Sequence, residues 1–178
     1  MKCVKCKRKA GINLRHLGGC LCNTCFTEVI KKRVRKAFRE HDWLRPGDKA
    51  IIIDDSTMKA QAVIFLTKAV FTGLPFYFTI RRCKIPAQTS NKKIIAPFNL
   101  DDTIELHLKA MFDGKKPAKI GFITPLINIS DEEIEYLAKA NKLEGKKQEK
   151  TRLGRMLDDL EKKYPGSKFG LLKSFVSQ

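Results

Sequence analysis

The stretch from Lys49 to Val70 constrains the fold of this chain more than any other. Four apolar residues, Ala50 to Ile53, lead through a short polar turn into apolar positions at Val63, Leu66 and Val70. A short apolar run followed by helical spacing predicts a buried strand, a tight turn and a helix. Many α/β proteins hold phosphate at such a turn, because backbone N–H groups at a helix start attract anions. Here, however, the turn carries Asp54 and Asp55 and no glycine.

The rest of the chain repeats the alternation. Phe76 to Ile80 reads as a buried strand, residues 81–91 as a polar loop, and Lys93 to Pro97 as a second short strand. A helix follows, with Asp102 as the expected N-cap, Glu105 three residues on, and Ile104, Leu108 and Met111/Phe112 facing inward. Gly114 to Pro117 closes it, and Lys119 to Thr124 reads as an edge strand. Ser130-Asp-Glu-Glu133 is a helix start, and that helix is expected to run to Ala140. Lys142 to Lys150 is a charged connector. The last segment places Leu153, Met156/Leu157 and Leu160 on one helix face, breaks at Tyr164-Pro165-Gly166, and ends in a helix carrying Phe169, Leu172 and Phe175. Strands alternating with helices predict an α/β fold with a doubly wound parallel sheet.

With 178 residues the chain can bury a full core, and the length suits one domain plus an appendage. Thirty-six Lys and Arg against 19 Asp and Glu give a net charge of +17, an excess that no fold requires and that points to a polyanionic partner, nucleic acid foremost. No run approaches the ~18 apolar residues of a membrane span, and the N-terminus lacks the apolar core of a signal peptide, so the expected location is the cytoplasm. Thiols stay reduced there, and clustered cysteines then suggest metal rather than disulfides.

Five of the six cysteines fall within the first 25 residues. Cys3/Cys6 and Cys22/Cys25 form two Cys-x-x-Cys pairs, the spacing of a four-thiolate zinc knuckle in which each sulfur sits ~2.3 Å from one tetrahedral ion. The same ligand set suits a rubredoxin-like iron; Cys20 or His16 offers an alternative ligand, and buried or redox-active thiols are the reading without metal. The lone Cys83 reads as a half-buried thiol rather than a nucleophile. From Phe26 to His41 an apolar stripe of Phe26, Val29/Ile30, Val34 and Ala37/Phe38 backs a basic ladder of Lys31, Lys32, Arg33, Arg35, Lys36 and Arg39. Such a face is either solvated or laid along a phosphate backbone, each contact releasing counterions. The scarcity of acids on it favours RNA.

Several of these stretches, taken in order, resemble tRNA 2-thiouridine synthetases of the PP-loop ATP-pyrophosphatase superfamily. They are the N-terminal cysteine pairs, the basic helix, Arg45-Pro-Gly-Asp-Lys49 before a strand, Asn99-Leu-Asp-Asp102, Thr124-Pro-Leu126 before a helix, and Glu161-Lys-Lys-Tyr-Pro-Gly-Ser-Lys-Phe169. The resemblance implies a PP-loop, or adenine nucleotide alpha-hydrolase-like, domain that adenylates a tRNA uridine and replaces its carbonyl oxygen by sulfur. The family's loop, Ser-Gly-Gly-x-Asp-Ser, falls here on Asp54-Asp55-Ser56-Thr57-Met58-Lys59. Both glycines are gone, and a like-charge contact at ~4 Å costs on the order of 4 kcal/mol near a protein surface. Lys59 offsets this only in part. The family's sulfur-handling cysteines are also missing, since Cys83 is the one cysteine after residue 25; Phe98 replaces a histidine; and a helix cap accounts for Asp101 and Asp102 without chemistry.

The expected organisation is a zinc-binding module (1–28), a basic linking helix (29–46) and a reduced, degenerate PP-loop-like domain with a helical C-terminus (47–178). The chain most resembles a degenerate, non-catalytic subunit of a tRNA wobble-uridine 2-thiolation system. Zinc would sit on Cys3, Cys6, Cys22 and Cys25, and tRNA on Lys31, Lys32, Arg35, Lys36 and Arg39. The protein partner would be an active homologue or a second copy. The competing readings are an ATP-dependent tRNA sulfurtransferase with an atypical phosphate loop, using Ser56 and Lys59 with magnesium on Asp101 or Asp102, and a standalone zinc-knuckle RNA-binding protein.

Overall fold

The computed structural model describes residues 1–83, 93–117 and 120–176. Its N-terminal module is a hairpin, β1 (Ile12–Leu14) and β2 (Gly19–Leu21), paired antiparallel around a 3-10 turn at Arg15–Leu17. Gly19 has φ +149°, and a Cβ there would lie 2.7 Å from Val4, so only glycine lets the first cysteine loop settle on the hairpin. Helix α1 (Asn23–Glu40) leaves this module and buries Phe26, Ile30, Val34, Ala37 and Phe38. The predicted apolar stripe is therefore the face that packs.

A three-stranded parallel sheet follows, ordered β4 (Tyr77–Arg82), β3 (Lys49–Asp54), β5 (Lys93–Ile95). Ala50 and Ile52 of β3 and Ile95 of β5 share a core with Ala62, Val63 and Leu66 of α2 (Met58–Phe71), with Phe26, Ile30 and Val34 of α1, and with Ile134 and Leu137 of α4 (Asp131–Asn141). β3 is central because its apolar run is continuous, as a strand of a parallel sheet requires. The expected strand at 119–124 is reduced to one parallel bridge, Ile95 with Ile123, and Lys119 lies outside the described residues, as do residues 84–91 of the expected polar loop.

The Phe76–Ile80 run is not buried as expected. Among the described residues β4 pairs with β3 alone, Tyr77 is 60% exposed and Ile80 41% exposed, while Phe76 and Phe78 turn back onto Phe71. A second core joins α3 (Leu100–Phe112) to α5 (Arg152–Lys163) and α6 (Ser167–Val176) through Leu100, Ile104, Leu157 and Leu172. Leu108, expected inside, is partly buried against this core, and coverage of α3 ends beyond it. Met111 and Phe112, expected inside, project beyond α5 and α6 and are exposed, and so is Met156. Asn99, not Asp102, is the N-cap of α3: its side chain accepts from the Asp102 N–H while Asp102 accepts from the Asn99 N–H, so Asp102 closes the capping box from the third position.

Candidate metal centre and phosphate turn

The Sγ atoms of Cys3, Cys6, Cys22 and Cys25 lie within 4.8 Å of one another. The first pair sits on a tight loop closed by the Lys7 N–H to the Cys3 carbonyl, 2.9 Å. The second pair begins a helix, Cys22 as its N-cap residue and Cys25 one turn in, where the positive end of the dipole favours thiolates. Burial works to raise the Cys3 thiol, yet N–H groups of Cys22, Cys6 and Lys5 bring it down to about 6. Cys25, hydrogen-bonded to Cys6 and also penalised by burial, is pushed up to about 12. Four thiols this close cannot all ionise until a cation joins them, and the donor set fits one tetrahedral ion: ~2.3 Å bonds place sulfurs about 3.8 Å apart, against 3.6 Å for Cys6 to Cys22. Both alternative ligands lie outside the set, since Cys20 points to the Met1 sulfur and His16 is 2.9 Å from Glu133.

The turn after β3 has the backbone of an anion site and none of its vacancy. Ser56 adopts φ 64°, the left-handed conformation for which glycine is the usual residue. Its N–H donates to Asp54 Oδ1 at 2.8 Å. Asp55 Oδ1 takes both the Thr57 N–H, 3.1 Å, and the Thr57 hydroxyl, 2.6 Å, and Thr57 Oγ1 then caps α2 at the Ala60 N–H. The remaining approach is covered by the connector after α4. There the Met58 N–H donates to the Lys146 carbonyl, 3.0 Å, and the Lys146 N–H donates to the Ser56 carbonyl, 2.9 Å. Gly145 lies so close that a Cβ would fall 2.7 Å from the Met58 nitrogen. No sequence pattern signals this strap, because Lys142 to Lys150 has no apolar period and its one informative residue is that glycine.

No protein-family model matches this sequence, and no curated protein matches it. A solved structure that does resemble it is the U34-tRNA thiolase NcsA from Methanococcus maripaludis with its 4Fe–4S cluster, at a TM-score of 0.79 and 18% identity over 99% of this chain and 86% of that one. The chain shares the fold of that thiolase. Beyond residue 25 this chain has one cysteine, Cys83 at the end of β4, which cannot by itself anchor such a cluster.

Side chains around the turn form ion pairs with one another. Lys59 is buried and reaches Asp102 at 2.8 Å, Asp131 at 3.1 Å and Asn99 Oδ1 at 3.3 Å, pointing away from the place where it would neutralise Asp54 and Asp55. Asp101 pairs with buried Lys168 and accepts the Asp131 N–H. On α1 the ladder divides. Arg33 pairs with fully buried Glu133 at 2.7 Å and lies over the Phe169 ring, so it holds α1 to α4 and α6 rather than facing solvent. Lys31 pairs with Glu28 and Lys36 with Glu40. Lys32, Arg35 and Arg39 are exposed and form no ion pair among the described residues. The same helix thus carries structural and available cations that sequence alone presented as one row. No described helix is long and apolar enough to cross a membrane.

Proposed function

We propose that this chain is a non-catalytic, metal-containing subunit or paralogue in tRNA wobble-uridine 2-thiolation, binding tRNA, an active PP-loop homologue, or both. One observation carries the reading: the anion-binding turn is filled by the chain's own groups. The N–H groups of Ser56, Thr57, Met58 and Ala60 are each bonded to Asp54, Asp55, Lys146 or Thr57. A nucleotide phosphate would have to displace two carboxylates and a backbone strap, at a cost several times the ~1 kcal/mol net worth of each new hydrogen bond. The magnesium ligands of an ATP-using enzyme are also committed, Asp102 to Lys59 and Asp101 to Lys168.

Fold likeness to a U34-tRNA thiolase, a charge of +17 and the exposed cations of α1 support tRNA as the partner. The four-sulfur spacing favours a single zinc; a 4Fe–4S cubane puts each thiolate on its own iron and spreads the sulfurs further. Zinc analysis of protein made without added metal is expected to find one ion per chain. Co-purification is the functional test. The expected result is recovery of tRNA, or of an active thiolase, at moderate salt; recovery of neither overturns the proposal. Calorimetry with ATP and magnesium is expected to register no binding up to about 1 mM, and a dissociation constant below about 100 µM would restore the enzyme reading.

A further inference from the structure

The N-terminal module carries more positive charge than its metal site balances. Residues 1–27 contain six Lys and Arg and no Asp or Glu. Lys2, Lys5, Lys7 and Lys9 are all exposed and form no ion pair among the described residues. Two features of their placement act against stability. Lys2 and Lys9 face each other across an antiparallel bridge, and like charges directly opposite repel. Lys7 sits at φ 64°, a conformation that glycine adopts freely and that a lysine enters only with strain. Four thiolates on a divalent ion would leave −2 in the module and offset only part of its six cations, and the excess that remains points to a bound ligand that supplies the rest. The charge identifies that ligand as a polyanion, and the loop, rigidly closed by Lys7 to Cys3 and by the Cys3 N–H to the Arg8 carbonyl, presents its lysines as a fixed set.

We propose that Lys2, Lys5, Lys7 and Lys9 form a second phosphate-backbone contact for RNA, hung from the metal centre and separate from the cations of α1. The proposal rests on the reading of the chain as a tRNA-binding protein and adds to it a site on the metal loop. RNA phosphates would sit between Lys2 and Lys9 and beside Lys7, converting a repulsive array into a neutralised one. Each contact contributes about 0.7–0.9 to the slope of log affinity against log salt.

The test uses the full, metal-loaded chain and fluorescently labelled bulk tRNA, titrated at several salt concentrations. The triple variant Lys5→Gln/Lys7→Gln/Lys9→Gln is expected to keep its metal, to melt at the same temperature or slightly higher because the Lys2–Lys9 repulsion is gone, to bind at least 10-fold more weakly at low salt, and to lose about 2 from the salt slope. Lys7→Gly separates ligand binding from folding: its Tm is expected to rise by a few degrees while affinity falls severalfold, a combination that a purely structural lysine would not give. Unchanged affinity and slope in the triple variant, with binding lost in Lys32→Gln/Arg35→Gln/Arg39→Gln, overturns this site and leaves the tRNA reading standing. Failure of the wild-type chain to bind tRNA overturns that reading and this one with it. Equal affinity for phosphatidylserine vesicles, lost in the same triple variant, would reassign the surface to lipid and overturn the RNA site.

Discussion

Glu133 shows how one residue can be fixed by its neighbours. It is fully buried, accepts from His16 at 2.9 Å, from Arg33 at 2.7 Å and from the Ser130 N–H at 3.0 Å, and so ties the metal module, α1 and α4 to one carboxylate. Burial by itself would raise its pKa, but the His16 bond, the Arg33 charge and the Ser130 N–H outweigh it and hold the carboxyl below the ordinary glutamate value. A depressed folded-state pKa means stability that is complete above the unfolded value of about 4.3 and is lost as pH falls through the folded one. Glu133→Gln leaves Arg33 without its counter-charge and is expected to cost about 3 kcal/mol at pH 7. Denaturant titrations of both proteins from pH 7 to pH 3 should show the gap narrowing only below about pH 4.5. A gap independent of pH would mean that shape, not charge, sets the cost. In the sequence Glu133 is legible only as part of the helix start Ser130-Asp-Glu-Glu133; its place in a capping box and its partners are structural findings. His16 and Arg33 lie about a hundred residues upstream, and no local pattern joins them.

At the level of elements, the strap covers the turn after β3 through the Met58–Lys146 and Lys146–Ser56 backbone bonds. Its geometry depends on Gly145, whose missing side chain lets residues 145–146 lie against Met58. Gly145→Ala brings a methyl group to 2.7 Å of backbone nitrogen, where nothing flexible can yield. The expected result is a loss of about 1–3 kcal/mol, with faster amide exchange at Met58 and Lys146 and no change at β3. Uniform slowing or no effect would show that the strap is not seated on the turn in solution. Elements whose fate follows from their own residues were readable in advance: β3 from four apolar residues, α1 from its stripe, α4 from its start at Ser130-Asp-Glu-Glu133. Elements whose fate depends on which neighbour covers them were not. β4 has the composition of a buried strand but lies at the sheet edge, and the last turn of α3 outruns the two helices that cover its start. The acidic character of the turn was legible in Asp54 and Asp55, whereas no local pattern told that those carboxylates fold back onto the N–H groups of Ser56 and Thr57.

On the scale of the molecule, the metal module and the α/β domain share one interior. Cys3, Ile12, Leu14 and Leu21 belong to the same buried cluster as Ile52, Val63 and Leu137, and His16 extends the contact to Glu133. A metal on the four cysteines would cross-link the first loop to the start of α1, so its binding would also be folding free energy. Because the core is common, that energy should be felt well beyond the cysteines. Treating the loaded protein with a strong chelator at pH 7 is expected to lower the thermal midpoint of the whole chain by 10 °C or more in a single transition. The loss should be smaller in Glu133→Gln, where the link between module and α4 is already weakened. Circular dichroism of the helices, followed beside a thiol-reactive probe of the four cysteines, reports both ends at once. Coincident curves mean that the ion braces α1 and the sheet behind it; a separate early step in the thiol signal, with the helical transition unmoved, would mean that the module melts alone and that α1 gains nothing from the metal.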